Sequence, residues 1–186
     1  MNKKLLTMTI SICLLISGCS SGLQNLDNEW GIDNREIQNK LGVKIYNNIS
    51  KEKAMSAMLV AFQRLDLIVE NTDFETGFIS AMANAPKPLT HDEFEQVKKI
   101  EDGRARKHAL LFSWNLRDFK SKLSVVFLRT QNDIQISLRA NLHFVGDRYS
   151  LIPVTEFPPE ATRIAFVKIW NEFEKVAFIQ EKTISP

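Results

Sequence analysis

The 186-residue chain carries 24 lysines and arginines against 22 aspartates and glutamates, a formal net charge of +2. Near-balance of this kind excludes recognition of nucleic acid by bulk charge, and 44% hydrophobic residues provide for a folded core. Met1-Asn2-Lys3-Lys4 opens the chain with positive charge, and an apolar run from Leu5 to Ile16 follows, broken only by Thr7, Thr9 and Ser11. A basic start, an apolar stretch of ~7–15 residues and small residues after it form an export signal. The run is shorter than the ~20 apolar residues that a membrane span requires.

The signal ends in Leu15-Ile16-Ser17-Gly18-Cys19, which resembles the lipobox of bacterial lipoproteins. The resemblance implies cleavage before Cys19 and acylation of that residue, so that the membrane is a partner through the lipid on Cys19. The only other cysteine, Cys13, lies in the segment to be removed, so the mature chain has no internal disulfide available. Acylation accounts for the leftover thiol, and two or more acyl chains anchor a protein stably. Ser20 follows the cysteine where an aspartate favours retention at the inner membrane in such lipoproteins. The expected location is therefore the periplasmic face of the outer membrane. Loss of residues 1–18 removes Lys3 and Lys4 and leaves the mature chain formally neutral. Residues 19–42 read as a lipidated cysteine and polar tether, with Trp30 and Ile32 available to dock, and 43–186 as a single domain.

Within that domain Val43-Lys44-Ile45-Tyr46 alternates as a short strand. Ser50 stands where a helix N-cap belongs, and Met55, Met58, Leu59, Phe62 and Leu65 follow at helical spacing. "LIVENTD" and "FISAMAN" predict a hairpin turning at Gly77. Pro86 and Pro88 exclude regular helix before Thr90, which opens a capping box with Glu93. Three strands are then expected: "HALLFSWNLRD", turning near Lys120, then "KLSVVFLRT" and "IQISLRANLHFV". The last alternates Ile134, Ile136, Leu138, Ala140, Leu142 and Phe144 against Gln135, Ser137, Arg139, Asn141 and His143. A closing helix spans roughly 160–180, with Ile164, Phe166, Val167, Trp170, Phe173 and Ala177 as its apolar band. The order β-α-β-β-(α)-β-β-β-α predicts an α+β fold, an antiparallel sheet with helices packed on one face. It also resembles the helix-grip and TATA-binding-protein-like modules of several envelope lipoproteins, which implies that architecture alone.

No nucleophile-elbow, phosphate-loop or zinc-protease motif occurs, and no catalytic residue or cofactor is expected. His91-Asp92-Glu93 contains ligand types without ligand spacing, so no metal site is expected; the acids suit a helix N-terminus. The cluster Lys98, Lys99, Arg104, Arg106 and Lys107 suits either a solvated helix end or a contact with anionic lipid or a charged partner. The sheet face turned from the helices carries Ser113, Asn115, Arg117, Val126, Leu128, Ser137, Arg139, Asn141 and His143. Arg117, Val126, Leu128, Arg139 and His143 are its candidate partner-binding residues, since arginine and small apolar patches anchor protein contacts. A sheet face simply open to water is the plainer alternative. The expected function is that of a non-enzymatic lipoprotein binding a protein partner in an envelope assembly. The alternative is a carrier or sensor of an apolar ligand, its cavity lined by Phe112, Trp114, Phe127, Phe144, Phe166 and Trp170. A hydrolase with paired carboxylates ranks third.

Overall fold

The computed structural model describes residues 3–108, 119–131, 133–144 and 156–184, with the backbone alone for 3–20, 23, 119, 141–144 and 178–184. The elements in chain order are α1 (Lys3–Leu41), β1 (Val43–Asn47), α2 (Lys51–Arg64), β2 (Ile68–Asp73), β3 (Phe78–Asn84), α3 (His91–Lys107), β4 (Phe119–Thr130), β5 (Asp133–Phe144) and α4 (Pro159–Ile184). The five strands form one open antiparallel sheet in the order β1-β5-β4-β3-β2. The fold is α+β, as the element order predicts.

Local chemistry sets the boundaries. The Ser50 hydroxyl accepts a hydrogen bond from the Lys53 N–H at 3.2 Å and starts α2. At α3 the capping box is complete: Thr90 Oγ1 accepts from the Glu93 N–H, and Glu93 Oε2 accepts from the Thr90 N–H. Between β2 and β3, Asp73 Oδ1 accepts from the N–H groups of Glu75 and Thr76. Gly77 closes this turn at φ +73°, and a Cβ built there would stand 2.5 Å from the Phe127 carbonyl oxygen. Both the left-handed backbone and this neighbouring strand require glycine. Gly77→Ala is expected to cost about 2 kcal/mol or more, read as a lower urea midpoint; an unchanged midpoint would contradict the turn.

The core follows from the two periodicities. α2 buries Ala54, Met55, Ala57, Met58, Ala61 and Phe62, and α4 buries Phe166, Ile169, Trp170, Phe173 and Val176. Both stripes meet the inner sheet face, where Ile79, Ala81, Leu123, Val125, Phe127, Ile134, Ile136 and Leu138 are buried. Each large side chain in this layer contributes ~1.5–3 kcal/mol by leaving water. A smaller cluster of Leu89, Val97, Ala161 and Ala165 joins α3 to the start of α4.

Three expectations change. Residues 20–41 of the expected tether are helix, and Leu26 and Trp30 are 1% exposed against the body. Its apolar residues are sparse, so the periodic signal is weak, yet two large side chains suffice to dock it. β4 runs straight through Lys120, where a turn was expected. Val167, assigned to the apolar band of α4, is 37% exposed, and Ile169 takes the inward position. The expected strand "HALLFSWNLRD" lies largely at 109–118, outside the described residues.

Candidate functional site

The sheet register assembles the outer face. Across the centre, Val43 on β1 lies opposite Ser137 on β5, Ser137 opposite Val126 on β4, and Val126 opposite Phe78 on β3. One step toward the β4–β5 turn, Ile45, Gln135 and Leu128 form the next row. One step the other way, Arg139 lies opposite Ser124, and Ser124 opposite Ser80. The parity of β4 and β5 places these residues opposite the core, because their neighbours Val125, Phe127, Ile136 and Leu138 are buried beneath α2 and α4.

The resulting surface is apolar at one edge and cationic beside it. Val43 is 43%, Ile45 61% and Leu128 49% exposed, Val126 is half-buried, and Arg139 is exposed. Val43 and Ile45 on β1 and Leu128 on β4 thus stand exposed on either side of Gln135 and Ser137, three branched side chains on one sheet face. Of the five candidates, Val126, Leu128 and Arg139 fall together on this face. His143 lies on β5 opposite Lys120, with its side chain outside the described residues, and Arg117 lies outside them altogether.

Val43 and Ile45 were missed as face residues. Hydrophobicity suggests that they point inward, but Lys44 and Tyr46 do so instead. Lys44 Nζ reaches Glu174 Oε1 on α4 at 2.7 Å and lies 5.4 Å from the Trp170 ring centroid. The Tyr46 hydroxyl donates to the same oxygen at 2.8 Å, and its ring packs edge-on against Phe173. The stem of a lysine and the ring of a tyrosine supply apolar contact while their polar tips find a carboxylate. The readable signal was Tyr46, the largest side chain of the strand.

The remaining candidates separate by environment. Phe127, Phe166 and Trp170 are buried in the main core, and the Trp170 indole donates to the Leu41 carbonyl at 2.6 Å. These three act as packing between sheet and α4. Of the other proposed cavity residues, Phe112 and Trp114 lie outside the described residues and Phe144 is described by backbone only. His91 and Asp92 are exposed at the α3 start, while Glu93 caps the helix and pairs with Lys168. Among the described residues, no group of three or more His, Cys, Asp and Glu side chains is placed to hold a metal ion. Arg104 leaves the basic cluster: it pairs with Asp33 and faces Glu29 and Glu101.

That pairing belongs to a buried polar seam between α1 and α3. Glu101 is fully buried, and its Oε2 accepts from the Trp30 indole N–H at 2.8 Å. Burial pushes the Glu101 carboxyl above the usual glutamate value; Arg104, the Trp30 indole and the Glu160 backbone oppose this without cancelling it. A carboxyl raised in the folded state binds its proton more tightly there than in the unfolded chain. Its stabilising contribution is thus full below the unfolded value of 4.5 and is lost as pH rises through the higher folded value. Glu101→Gln is expected to remove this contribution to the pH dependence. Denaturant midpoints measured upward from pH 4.5 should therefore fall less in the variant than in the parent, and identical slopes would contradict the assignment.

No helix among the described residues is long and apolar enough to cross a membrane. No protein-family model matches the chain, and no curated protein matches its sequence.

Proposed function

We propose that the chain is a lipid-anchored envelope protein, held at the periplasmic face of the outer membrane through Cys19, whose domain docks a protein partner on its outer sheet face. One observation carries the docking reading: Val43, Ile45 and Leu128 are large, apolar and exposed in adjoining rows, with Arg139 at their border. Protein interfaces favour such an arrangement, an apolar centre with an arginine at hand. The helix-grip likeness is consistent with a sheet free on one side. The role is that of an accessory component of an assembly, with no reaction of its own.

The anchor reading rests on the Leu15–Cys19 pattern and on the absence of another mature cysteine. Cells fed a clickable fatty acid should label the native protein, and Cys19→Ala should abolish the label. Persistent labelling of that variant would remove the anchor from Cys19.

A further inference from the structure

We infer that the free edge of β1 pairs with β1 of a second copy of the chain, antiparallel about a two-fold axis at Ile45. The hydrogen bonds of β1 show which of its backbone groups are left over. The Leu138 N–H donates to the Gly42 carbonyl at 2.7 Å, and the register continues with Lys44 opposite Ile136 and Tyr46 opposite Ile134. Antiparallel strands exchange bonds at every second residue, so the N–H and C=O groups of Lys44 and Tyr46 serve β5. Those of Val43, Ile45 and Asn47 point the other way, off the sheet, because β1 is its terminal strand. All three residues are exposed, Ile45 at 61%. The opposite edge is built differently. In β2 the register shifts between Val69 and Asn71, with the charged Glu70 at the irregularity. A bulge and a charge keep an edge strand from pairing. The register of β1 is unbroken, it holds no proline, and its one charged side chain, Lys44, is turned inward to Glu174 at 2.7 Å.

The strand is complementary to itself in one register. With the axis at Ile45, that residue faces its own copy and Val43 faces Asn47, so every outward backbone group finds a partner. On the inner face Lys44 then stands opposite Tyr46 of the second copy. The hydroxyl of that tyrosine donates to Glu174, a side chain 44% exposed and thus open to a second cation. Each lysine therefore meets a carboxylate across the axis as well as its own. A register centred on Lys44 sets two lysines face to face, and one centred on Tyr46 leaves Val43 without a partner. An unrelated strand could use the same backbone groups, but this chain itself supplies the lysine and glutamate that the crossed contacts need. The axis stands normal to the sheet, so the helices of both copies lie on one side and both outer faces on the other. The inference concerns the edge of β1 and depends neither on the anchor at Cys19 nor on a partner at the outer face.

The test is disulfide cross-linking of the full chain in cells treated with a permeant oxidant, the parent serving as background because it keeps Cys13 and Cys19. Ile45→Cys brings two thiols together at a Cα separation of ~5.5 Å, within disulfide reach. Val43→Cys or Asn47→Cys alone leaves its two copies ~13 Å apart along the strand, beyond that reach. A linked dimer is expected from Ile45→Cys and from the double variant Val43→Cys, Asn47→Cys, and from neither of those singly. The parent purified in detergent should have a dimer mass. Ile45→Lys, at an exposed position, should reduce that mass to a monomer with its urea midpoint retained. Equal linkage from all three single variants would show random collision and overturn the proposal. So would a dimer that survives Ile45→Lys, or a parent of monomer mass, while leaving anchor and outer face untouched. Linkage of Ile45→Cys to a different protein would also overturn it and give the edge to a foreign strand.

Discussion

Trp30→Ala is expected to destabilise the packing of α1 by about 3–5 kcal/mol, the range for deleting a buried aromatic side chain. Trp30 is 1% exposed, and its indole is a hydrogen-bond donor to the fully buried Glu101. The substitution opens a cavity and takes a donor from a buried carboxyl in one step. What remains between α1 and the body is the buried Leu26, Ile37 and Leu41 against the main core, and hydrogen bonds: Asn34 donates to the Phe157 carbonyl at 2.7 Å and Gln38 to the Leu138 carbonyl at 2.6 Å. The main core between α2, α4 and the sheet contains neither Leu26 nor Trp30. Loss should therefore be local, with faster hydrogen exchange over 22–34 and slow exchange retained in β4 and β5. Trp30→Phe keeps the ring contact and loses the N–H, so its cost should fall to about 1–3 kcal/mol. A Trp30→Ala protein with unchanged exchange over 22–34 would show that α1 is held by other means.

The second large effect belongs to the outer sheet face. Leu128→Glu combined with Arg139→Glu is expected to weaken partner binding ~1000-fold, since interface anchors contribute ~2 kcal/mol or more each. Both side chains are exposed, so stability should change by less than ~0.5 kcal/mol per site. This separation of binding from folding distinguishes a docking face from a structural one. Asn171 and Lys175, exposed on the opposite side along α4, provide controls whose substitution to glutamate should affect neither quantity.

Strand alternation made much of this fold readable. Ile134, Ile136 and Leu138 announce an inner face and Gln135, Ser137 and Arg139 an outer one, because period-two patterning has only one reading on a half-buried strand. Ser50 and Thr90 marked the helix starts for an equally local reason, the need of free N–H groups for an acceptor. The orientation of β1 was not readable. Its five residues hold two branched apolar side chains and one tyrosine, and the choice between them is made by Glu174 and Phe173, 127 or more positions away. The helical state of 20–41 was hidden similarly: its polar residues are paid for by partners on α3, β5 and the segment before α4, which no local pattern displays. The outer sheet face was half visible, with Val126, Leu128 and Arg139 placed on it and Val43 and Ile45 missed, because pairing of β1 with β5 brings distant sequence onto one face.

The central claim, that the outer sheet face docks a protein in the envelope, is tested most directly by a photo-crosslinking amino acid placed at Leu128 in living cells, with Asn171 as the control position. The account predicts one discrete adduct from position 128, lost when Arg139→Glu is added and absent from position 171. Adduct formation from both positions alike, or from neither, would contradict it.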